Sequence, residues 1–309
     1  METEDREHEM LAEGEGCFAD LKLDTAFKKA FANEDDKEPL IAMLNAFLAR
    51  KLKHPITDVN IKNPYVPGQT SDNRDSIFDI LCHDSEGNKF LVEVQVGRQA
   101  YFVKRVLYYV CMAIANSGKQ GDWDFNYPPV YSLSFMSFDL DFGNDDVIQH
   151  LSISNDEHPQ IRYGYLNMVF VRLSRFKKSL DECETLQDKL MYSLCHAHKL
   201  RGMPEQFRED VLGKIFFFAK IANFSMDERA AYEADMMNKR DQYAIRMTAI
   251  NEGIAIGEAR GETRGRQEGI AIGEAKGLLQ AARQMKAEKM SSDLISRITG
   301  LPKEDVERL

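Results

Sequence analysis

The sequence of 309 residues lacks long apolar runs and any regular spacing of cysteines. Because no run reaches about 18 apolar residues, we expect no membrane-spanning helix and no membrane partner. The first residues, METEDREHEM, are acidic and contain no apolar stretch, which argues against a secretory signal. The 5 cysteines are scattered and odd in number, without a Cys-x-x-Cys pair, so we expect reduced thiols in a cytoplasmic protein.

An excess of positive charge is also missing, since the formal net charge is −10 at pH 7. Residues 1–38 contain 13 acidic and 5 basic side chains, a local sum of −8, so the remainder of the chain is close to neutral. Two basic segments stand out, RKLKH at 50–54 and RLSRFKK at 172–178. This balance argues against a protein that only binds DNA, but it allows contacts with a few phosphate groups.

The most informative pattern is a predicted hairpin built from IFDILC (Ile77–Cys82) and FLVEVQV (Phe90–Val96). The intervening segment, HDSEGNK, is rich in turn-forming residues. Because strand side chains alternate between two faces, Asp79 and Glu93 each fall among apolar side chains on one face. A hairpin symmetric about Glu86 pairs Asp79 with Glu93.

Two carboxylates facing each other among apolar side chains are unfavourable, because like charges repel and burial adds to the cost. A divalent cation between Asp79 and Glu93 removes this cost, and hard oxygen ligands favour Mg²⁺ or Mn²⁺. The alternative, which the spacing alone does not exclude, is a half-exposed sheet whose polar face lies in water.

Further elements occur in a recognisable order. LDTAFKKAF (Leu23–Phe31) looks like an opening D-x-x-F-K-x-x-F helix, FDILC carries a second-strand acid, and VEVQ carries a third-strand E-x-Q. The segment Tyr101–Phe138 resembles the helix and strand that follow, and the Gly-rich C-terminal part with ITGLPKEDVERL also fits. From about residue 20 to its end, the chain resembles the Rpn-like branch of the PD-(D/E)XK superfamily, the recombination-promoting nucleases and transposases.

The resemblance implies an α/β fold with a mixed sheet, namely a restriction-endonuclease-like αβββαβ core with a helical C-terminal extension. The predicted order of a helix, three strands, a helix and a strand suits this core. It also implies a metal-dependent DNA endonuclease that hydrolyses phosphodiesters with a Mg²⁺-activated water and promotes recombination or transposition. Two alternatives stay open, an RNA-directed nuclease and a catalytically silent interaction protein with the same fold.

Asp79 and Glu93 are the expected metal ligands, and the resemblance adds the backbone carbonyl of Val94. Gln95 stands where the superfamily usually has lysine, although the resemblance implies glutamine in this branch. Its amide can orient the attacking water, but it supplies no positive charge and no proton of useful pKa.

The positive charge must therefore come from elsewhere. Lys28 on the first helix and Arg105 on the helix after the third strand are the candidates, and a solvated helix face is an equally good interpretation of both. Asp24 matches the opening acid of the family and is expected to bind a second metal or the bound water. The alternative role of Asp24 is as the N-cap of a helix over 25–31.

Composition and periodicity, together with the core that the resemblance implies, divide the chain into five segments. They are an acidic disordered tail at 1–18, the nuclease core at 19–178, a helical extension at 179–250, a glycine-repeat helix or linker at 251–277 and a helix-turn-helix-like cap at 278–309.

Glycine recurs at every fourth position from residue 253 to residue 277. Each glycine costs about 1 kcal/mol relative to alanine in a helix, which favours a flexible or weakly helical linker. Small residues at this spacing also allow two helices to approach closely. Apolar side chains within the repeat, such as Ile254 and Ile270, remain exposed to solvent in a monomer. We therefore expect a homodimer through the C-terminal helices, with DNA as the other partner.

Overall fold

The computed structural model describes residues 17–66, 76–118, 121, 124–208 and 211–309. It divides into two compact units, Met1–Arg240 and Asp241–Leu309. Residues 1–16 of the predicted acidic tail lie outside the described residues. The predicted limit of this tail at residue 18 is wrong, because Phe18 is buried and forms a β-bridge with Lys220.

The first unit is organised around a six-stranded mixed sheet with the strand order β1-β4-β5-β6-β8-β7. The central strands β5, β6 and β8 run parallel, whereas β1, β4 and β7 pair antiparallel with their neighbours. These strands are β1 (Asn60–Lys62), β4 (Ile80–His83), β5 (Lys89–Gln95), β6 (Val130–Met136), β7 (Ile148–Ser154) and β8 (Arg162–Arg172). A second, two-stranded sheet pairs β2 (Tyr65–Val66) with β3 (Ser76–Ile77).

Helices cover both faces of the large sheet. They are α1 (Asp24–Phe31), α2 (Glu38–Leu48), α3 (Phe102–Ala115), α4 (Leu186–His196) and α5 (Val211–Ala219). On one face, Phe47 of α2 packs edge-on against Phe135 of β6, with ring centroids 5.1 Å apart. On the other face, Phe102 of α3 packs against Phe170 of β8 at 6.2 Å. The predicted α/β class with a mixed sheet is confirmed.

The hairpin has the predicted register. Ile80 pairs with Val92 and His83 pairs with Lys89, so the pairing is symmetric about Glu86. The turn is closed by Asp84, whose N–H donates to the Asn88 carbonyl at 3.1 Å. Gly87 has a φ of 83°, which only glycine adopts readily.

The first predicted strand of the hairpin is wrong in its extent. Instead of one strand over Ile77–Cys82, the structure has β3 ending at Ile77 in the small sheet and β4 starting at Ile80. Asp79 therefore lies in a bend directly before β4, and its backbone is not bound into a strand.

The first part of the predicted helical extension packs into the same core as the sheet. Leu190 and Leu194 of α4, and Leu212 and Phe216 of α5, belong to the apolar cluster that also contains Phe135 of β6. Consequently, the structure does not separate these helices from the nuclease core.

A long helix, α6 (Met226–Ala287), begins in the first unit. Within that unit, the Tyr232 hydroxyl accepts a hydrogen bond of 2.8 Å from the N–H of Asp20. The Lys239 ammonium forms a 3.1 Å ion pair with the Asp20 carboxylate, which is 2% exposed. Asp235 accepts a 2.9 Å hydrogen bond from the N–H of Thr25. These contacts attach the start of α6 to the segment that leads into α1.

The second unit contains the remainder of α6 and two short helices, α7 (Ser292–Thr299) and α8 (Lys303–Arg308). Its small core consists of Ala282, Ile295 and Val306. The turn between α7 and α8 uses Gly300 in the left-handed region, with a φ of 73°.

The glycine repeat lies inside α6, whereas its composition favours a flexible or weakly helical linker. Each glycine costs helical stability but does not prevent the helical backbone. A Cβ atom added at Gly253, Gly265 or Gly277 meets no atom within 4 Å. The isoleucines of the repeat are about half exposed, from 53% for Ile256 to 55% for Ile272.

None of the helices that the structure describes combines the length and apolar character that a bilayer-spanning helix needs. All five cysteines are free thiols.

Candidate metal centre

Asp79 and Glu93 come together at one end of the β4–β5 hairpin. The last paired residues are Ile80 and Val92, and one further step in the same register brings Asp79 opposite Glu93. Glu93 lies on the face of β5 that packs against α3, where Arg105 contacts it, and its pKa responds to the charge of Asp79. The two predicted carboxylates are therefore neighbours in the structure.

A backbone contact holds Asp79 against β5. Its Oδ2 atom accepts a hydrogen bond of 2.5 Å from the N–H of Val94. The N–H and C=O groups of one strand residue point towards the same neighbouring strand. The carbonyl of Val94 therefore also points to the side occupied by Asp79, where the resemblance expects a third ligand.

Arg105 on α3 is the cation that contacts Glu93 and Gln95. Its guanidinium donates to the carboxylate of Glu93 and, at 2.7 Å, to the Oε1 atom of Gln95. It also donates to Gln99 at 2.5 Å and lies over the ring of Phe102, 4.9 Å from the centroid. The structure thus brings the predicted residues Glu93, Gln95 and Arg105 into one polar cluster, and Arg105 is not on a solvated helix face.

The first helix supplies Asp24 and Lys28 to the same end of the hairpin. They form an i,i+4 ion pair of 2.8 Å, in which Asp24 is 50% and Lys28 is 38% exposed. The charge of Asp24 raises the pKa of Asp79, and the charge of Lys28 lowers it. Asp24 also forms a side-chain hydrogen bond with Asp79. The alternative role of Asp24 as an N-cap is wrong, because α1 starts at Asp24 and Leu23 occupies the cap position.

Both candidate ligands resist ionisation. Burial raises the pKa of Asp79 to about 6, and the charge of Asp24 adds to this effect, while the Val94 N–H opposes it. Burial likewise raises the pKa of Glu93 to about 7, with a contribution from the charge of Asp79 and an opposing one from Arg105. Two carboxylates that destabilise each other in this way are typical of a functional site.

Several polar atoms in this region are buried without a hydrogen-bond partner among the described residues. They are the Oε2 atom of Glu93, the Nε atom of Arg105 and the hydroxyl groups of Ser134 and Ser137. A buried carboxylate oxygen without a donor is costly, and a cation satisfies it. The donor set, two carboxylates and a backbone carbonyl, fits Mg²⁺ or Mn²⁺, which accept oxygen ligands and retain water.

Among the residues that the structure describes, no group of three or more His, Cys, Asp or Glu side chains has the arrangement of a metal cage. An ion beside Asp79 and Glu93 therefore needs backbone and water oxygens to complete its coordination, which is usual for Mg²⁺.

Ser134 was not among the residues singled out from the sequence. The register of β5 with β6 pairs it with Glu93, and its side chain is fully buried. Its signal in the sequence is the repetition of serine at every second position, Ser132 and Ser134, within the apolar strand VYSLSFM. Because alternate residues share a face, both serines lie on the side of the carboxylates.

Comparison with known protein families gives one match. The model of a family described as PD-(D/E)XK nuclease family transposase matches residues 21–249, which is most of the chain. Neither the curated proteins nor the solved structures gave a match.

Proposed function

The chain belongs to the PD-(D/E)XK nuclease family transposases, and from this membership we propose that it is a Mg²⁺-dependent or Mn²⁺-dependent DNA endonuclease. The family is one of nucleases and transposases, and PD-(D/E)XK nucleases typically use divalent metal ions. The observation that carries the proposal is the pair Asp79 and Glu93, whose charged forms are both disfavoured and one of whose oxygens has no partner.

In this proposal, Asp79, Glu93 and the carbonyl of Val94 hold the ion. A bound divalent cation lowers the pKa of a coordinated water and offsets the charge that develops on the phosphate. Gln95 has only an amide, so its role is to orient the attacking water. Arg105 anchors Gln95 and Glu93 and provides the positive charge that the superfamily lysine gives elsewhere. Asp24 binds the attacking water or a second ion, and Lys28 neutralises Asp24.

The proposal is tested by cleavage of supercoiled plasmid in Mg²⁺ or Mn²⁺. We expect Asp79→Asn and Glu93→Gln to lose cleavage by at least about 100-fold, since the ion and its charge are lost together. Glu86→Gln is the matched control, because Glu86 is an exposed carboxylate of the same hairpin. Equal cleavage by all of these proteins rules out the assignment. Labelled RNA tested in parallel distinguishes an RNA-directed nuclease.

A catalytically silent interaction protein is the second candidate function. The observation that favours it is the ion pair between Arg105 and Glu93, which occupies one oxygen of a proposed ligand. Titration with Mn²⁺ by calorimetry separates the two functions. Binding that disappears in Asp79→Asn supports the nuclease, and the absence of binding in the unmodified chain supports the silent protein.

The homodimer is also part of the proposal. It is supported by the half-exposed isoleucines of the glycine repeat, which leave apolar surface uncovered in the second unit. A cytoplasmic location agrees with the five free thiols.

A further inference from the structure

Four basic side chains lie close enough at the edge strand β7 for their charges to act on one another. This basic cluster consists of Arg50, Lys51, His150 and Arg162. The Nζ atom of Lys51 and the Nδ1 atom of His150 are buried without a hydrogen-bond partner among the described residues. The structure gives Arg50 and Arg162 no ion pair within the described part of the chain either.

No acidic side chain among those described opposes the effect of the three cations on the pKa of His150. Burial lowers the pKa of His150, and the three neighbouring cations lower it further, with no opposing acidic group. Burial also lowers the pKa of Lys51, and the charge of Arg162 acts in the same direction. Like charges gathered without an acidic partner repel one another, and a bound anion relieves this repulsion.

Open space lies on both sides of His150. One cavity of about 800 Å³ is lined by Arg50, His150 and Lys177, and also by the acidic residues Asp146, Glu182 and Asp188, of which Asp188 is paired with Lys178. A second cavity of about 550 Å³ is lined by His150, Ser152 and Arg162, again among others. His150 lines both cavities, Arg50 lines the first and Arg162 lines the second, so a ligand can reach these three side chains. Lys51 lines neither cavity and adds its charge from beside them.

We propose that the basic cluster binds phosphate groups of a nucleic-acid strand. Arginine forks match phosphate oxygens in pairs, and a lysine ammonium adds a point charge. The choice of a nucleic acid as the source of the phosphate rests on the proposed nuclease function. The phosphate chemistry itself rests on the cluster and its cavities.

His150 of the basic cluster and Glu93 of the candidate metal centre lie on different faces of the sheet. His150 pairs with Val169, which belongs to the core cluster that contains α1 and α2. Glu93 points to the opposite face, towards α3. Three strand spacings, about 14 Å, separate β7 from β5. Substitutions in the basic cluster therefore leave Asp79 and Glu93 untouched.

The test measures binding of a fluorescent single-stranded oligonucleotide by anisotropy, with EDTA present so that no cleavage occurs. We expect Lys51→Ala combined with Arg162→Ala to bind at least about 10-fold more weakly at low salt. The slope of log K against log salt falls by about 0.7 for each phosphate contact removed. Arg50→Gln combined with Arg162→Gln replaces two exposed side chains and checks the result without altering a buried position.

The matched control is Lys199→Ala combined with Arg201→Ala, which removes the same two charge types from exposed positions that line neither cavity. Thermal melting shows that each variant is folded. Calorimetry with inorganic phosphate tests the chemistry without a nucleic acid. Loss of phosphate binding together with unchanged oligonucleotide binding overturns the nucleic-acid source, and unchanged binding of both ligands overturns the site.

The proposed nuclease function fails or holds independently of this site. Asp79→Asn is expected to bind the oligonucleotide like the unmodified chain in EDTA, even though it does not cleave. The reverse pattern, oligonucleotide binding lost in Asp79→Asn and retained in the cluster variants, overturns the proposed site and leaves the metal centre in place.

Discussion

The carboxylate of Asp79 accepts a 2.5 Å hydrogen bond from the backbone N–H of Val94, although Asp79 itself lies outside a strand. This contact crosses from the bend before β4 to β5 and keeps Asp79 beside Glu93. A single backbone donor thus positions a charge that burial disfavours. The centre stores unfavourable electrostatic energy without a bound ion, and this property leads to measurable consequences.

Asp79→Asn is expected to stabilise the metal-free protein at pH 8 by about 1–2 kcal/mol, because it removes a charge that burial disfavours. The pKa of Asp79 is raised to about 6 in the folded chain. Protonated Asp79 therefore contributes fully to the free energy of unfolding below about pH 4, the pKa of this group in the unfolded chain. This contribution is lost as the pH rises through about 6. Urea unfolding at pH 4.5 and pH 8 measures both effects.

The control for that experiment is Glu86→Gln, which is expected to change the free energy of unfolding by less than about 0.5 kcal/mol at either pH. An Asp79→Asn variant that is less stable than the unmodified chain at pH 8 contradicts the electrostatic argument. Excess Mn²⁺ should raise the melting temperature of the unmodified chain but not of Asp79→Asn.

Arg105→Ala is expected to lower the free energy of unfolding by about 1–3 kcal/mol, because it leaves the buried Glu93 carboxylate without its partner. Cleavage should fall by at least about 10-fold as Gln95 loses its anchor. Arg105→Lys is expected to restore only part of both losses, since an ammonium cannot reproduce the planar fork. Lys104→Ala, an exposed neighbour on α3, serves as control. Equal effects of both alanine variants would point to a general helix defect.

The attachment of α6 to the first unit predicts a loss of stability in acid. Burial opposes the charged form of Asp20, but the charges of Lys22 and Lys239 outweigh it and hold its pKa well below the usual range. A depressed pKa contributes stability that is present above about pH 4 and is lost as the pH falls further. Melting curves between pH 3 and pH 7 should show this slope, and Asp20→Asn should flatten it.

Tyr232→Phe tests the same attachment at neutral pH. It removes the acceptor of the buried Asp20 N–H and is expected to cost about 1–3 kcal/mol. Tyr163→Phe is the control, because Tyr163 is 51% exposed. If the two variants unfold at the same urea concentration, the buried hydrogen bond contributes no stability.

A chain that ends at Arg240 is expected to be monomeric and to bind Mn²⁺, whereas the full chain is expected to be a dimer. The truncation retains Lys239 and its ion pair with Asp20, and it removes the whole second unit. Light scattering on both proteins decides the matter. If both proteins are monomers, the proposed dimer is contradicted. If both proteins are dimers, the interface lies in the first unit.

The hairpin was predictable from the sequence because its information is local. Alternation of side chains and one turn fix the register, and the pairing of Ile80 with Val92 follows from the same symmetry. The boundary of β4 was not predictable in this way. The sequence IFDILC reads as one strand, whereas the bend at Asp79 depends on the long-range contact with Val94.

Other features depend on contacts between distant segments. Tyr232 and Asp20 are 212 residues apart, and no periodicity links them. The basic cluster combines Arg50 with Arg162, which the fold alone brings together. Arg105 could be named as a candidate cation, but its partners could be chosen only once α3 had been placed over β5.

Surface turns generally tolerate insertions and deletions, but the turn that Asp84 and Asn88 close has no such freedom. One added residue shifts β5 relative to β4 by one position and exchanges the two faces of the strand. Glu93 then points into the opposite core, and the side chain of Val94 takes its place beside Asp79. The length of this turn therefore helps to set which face of β5 carries Glu93.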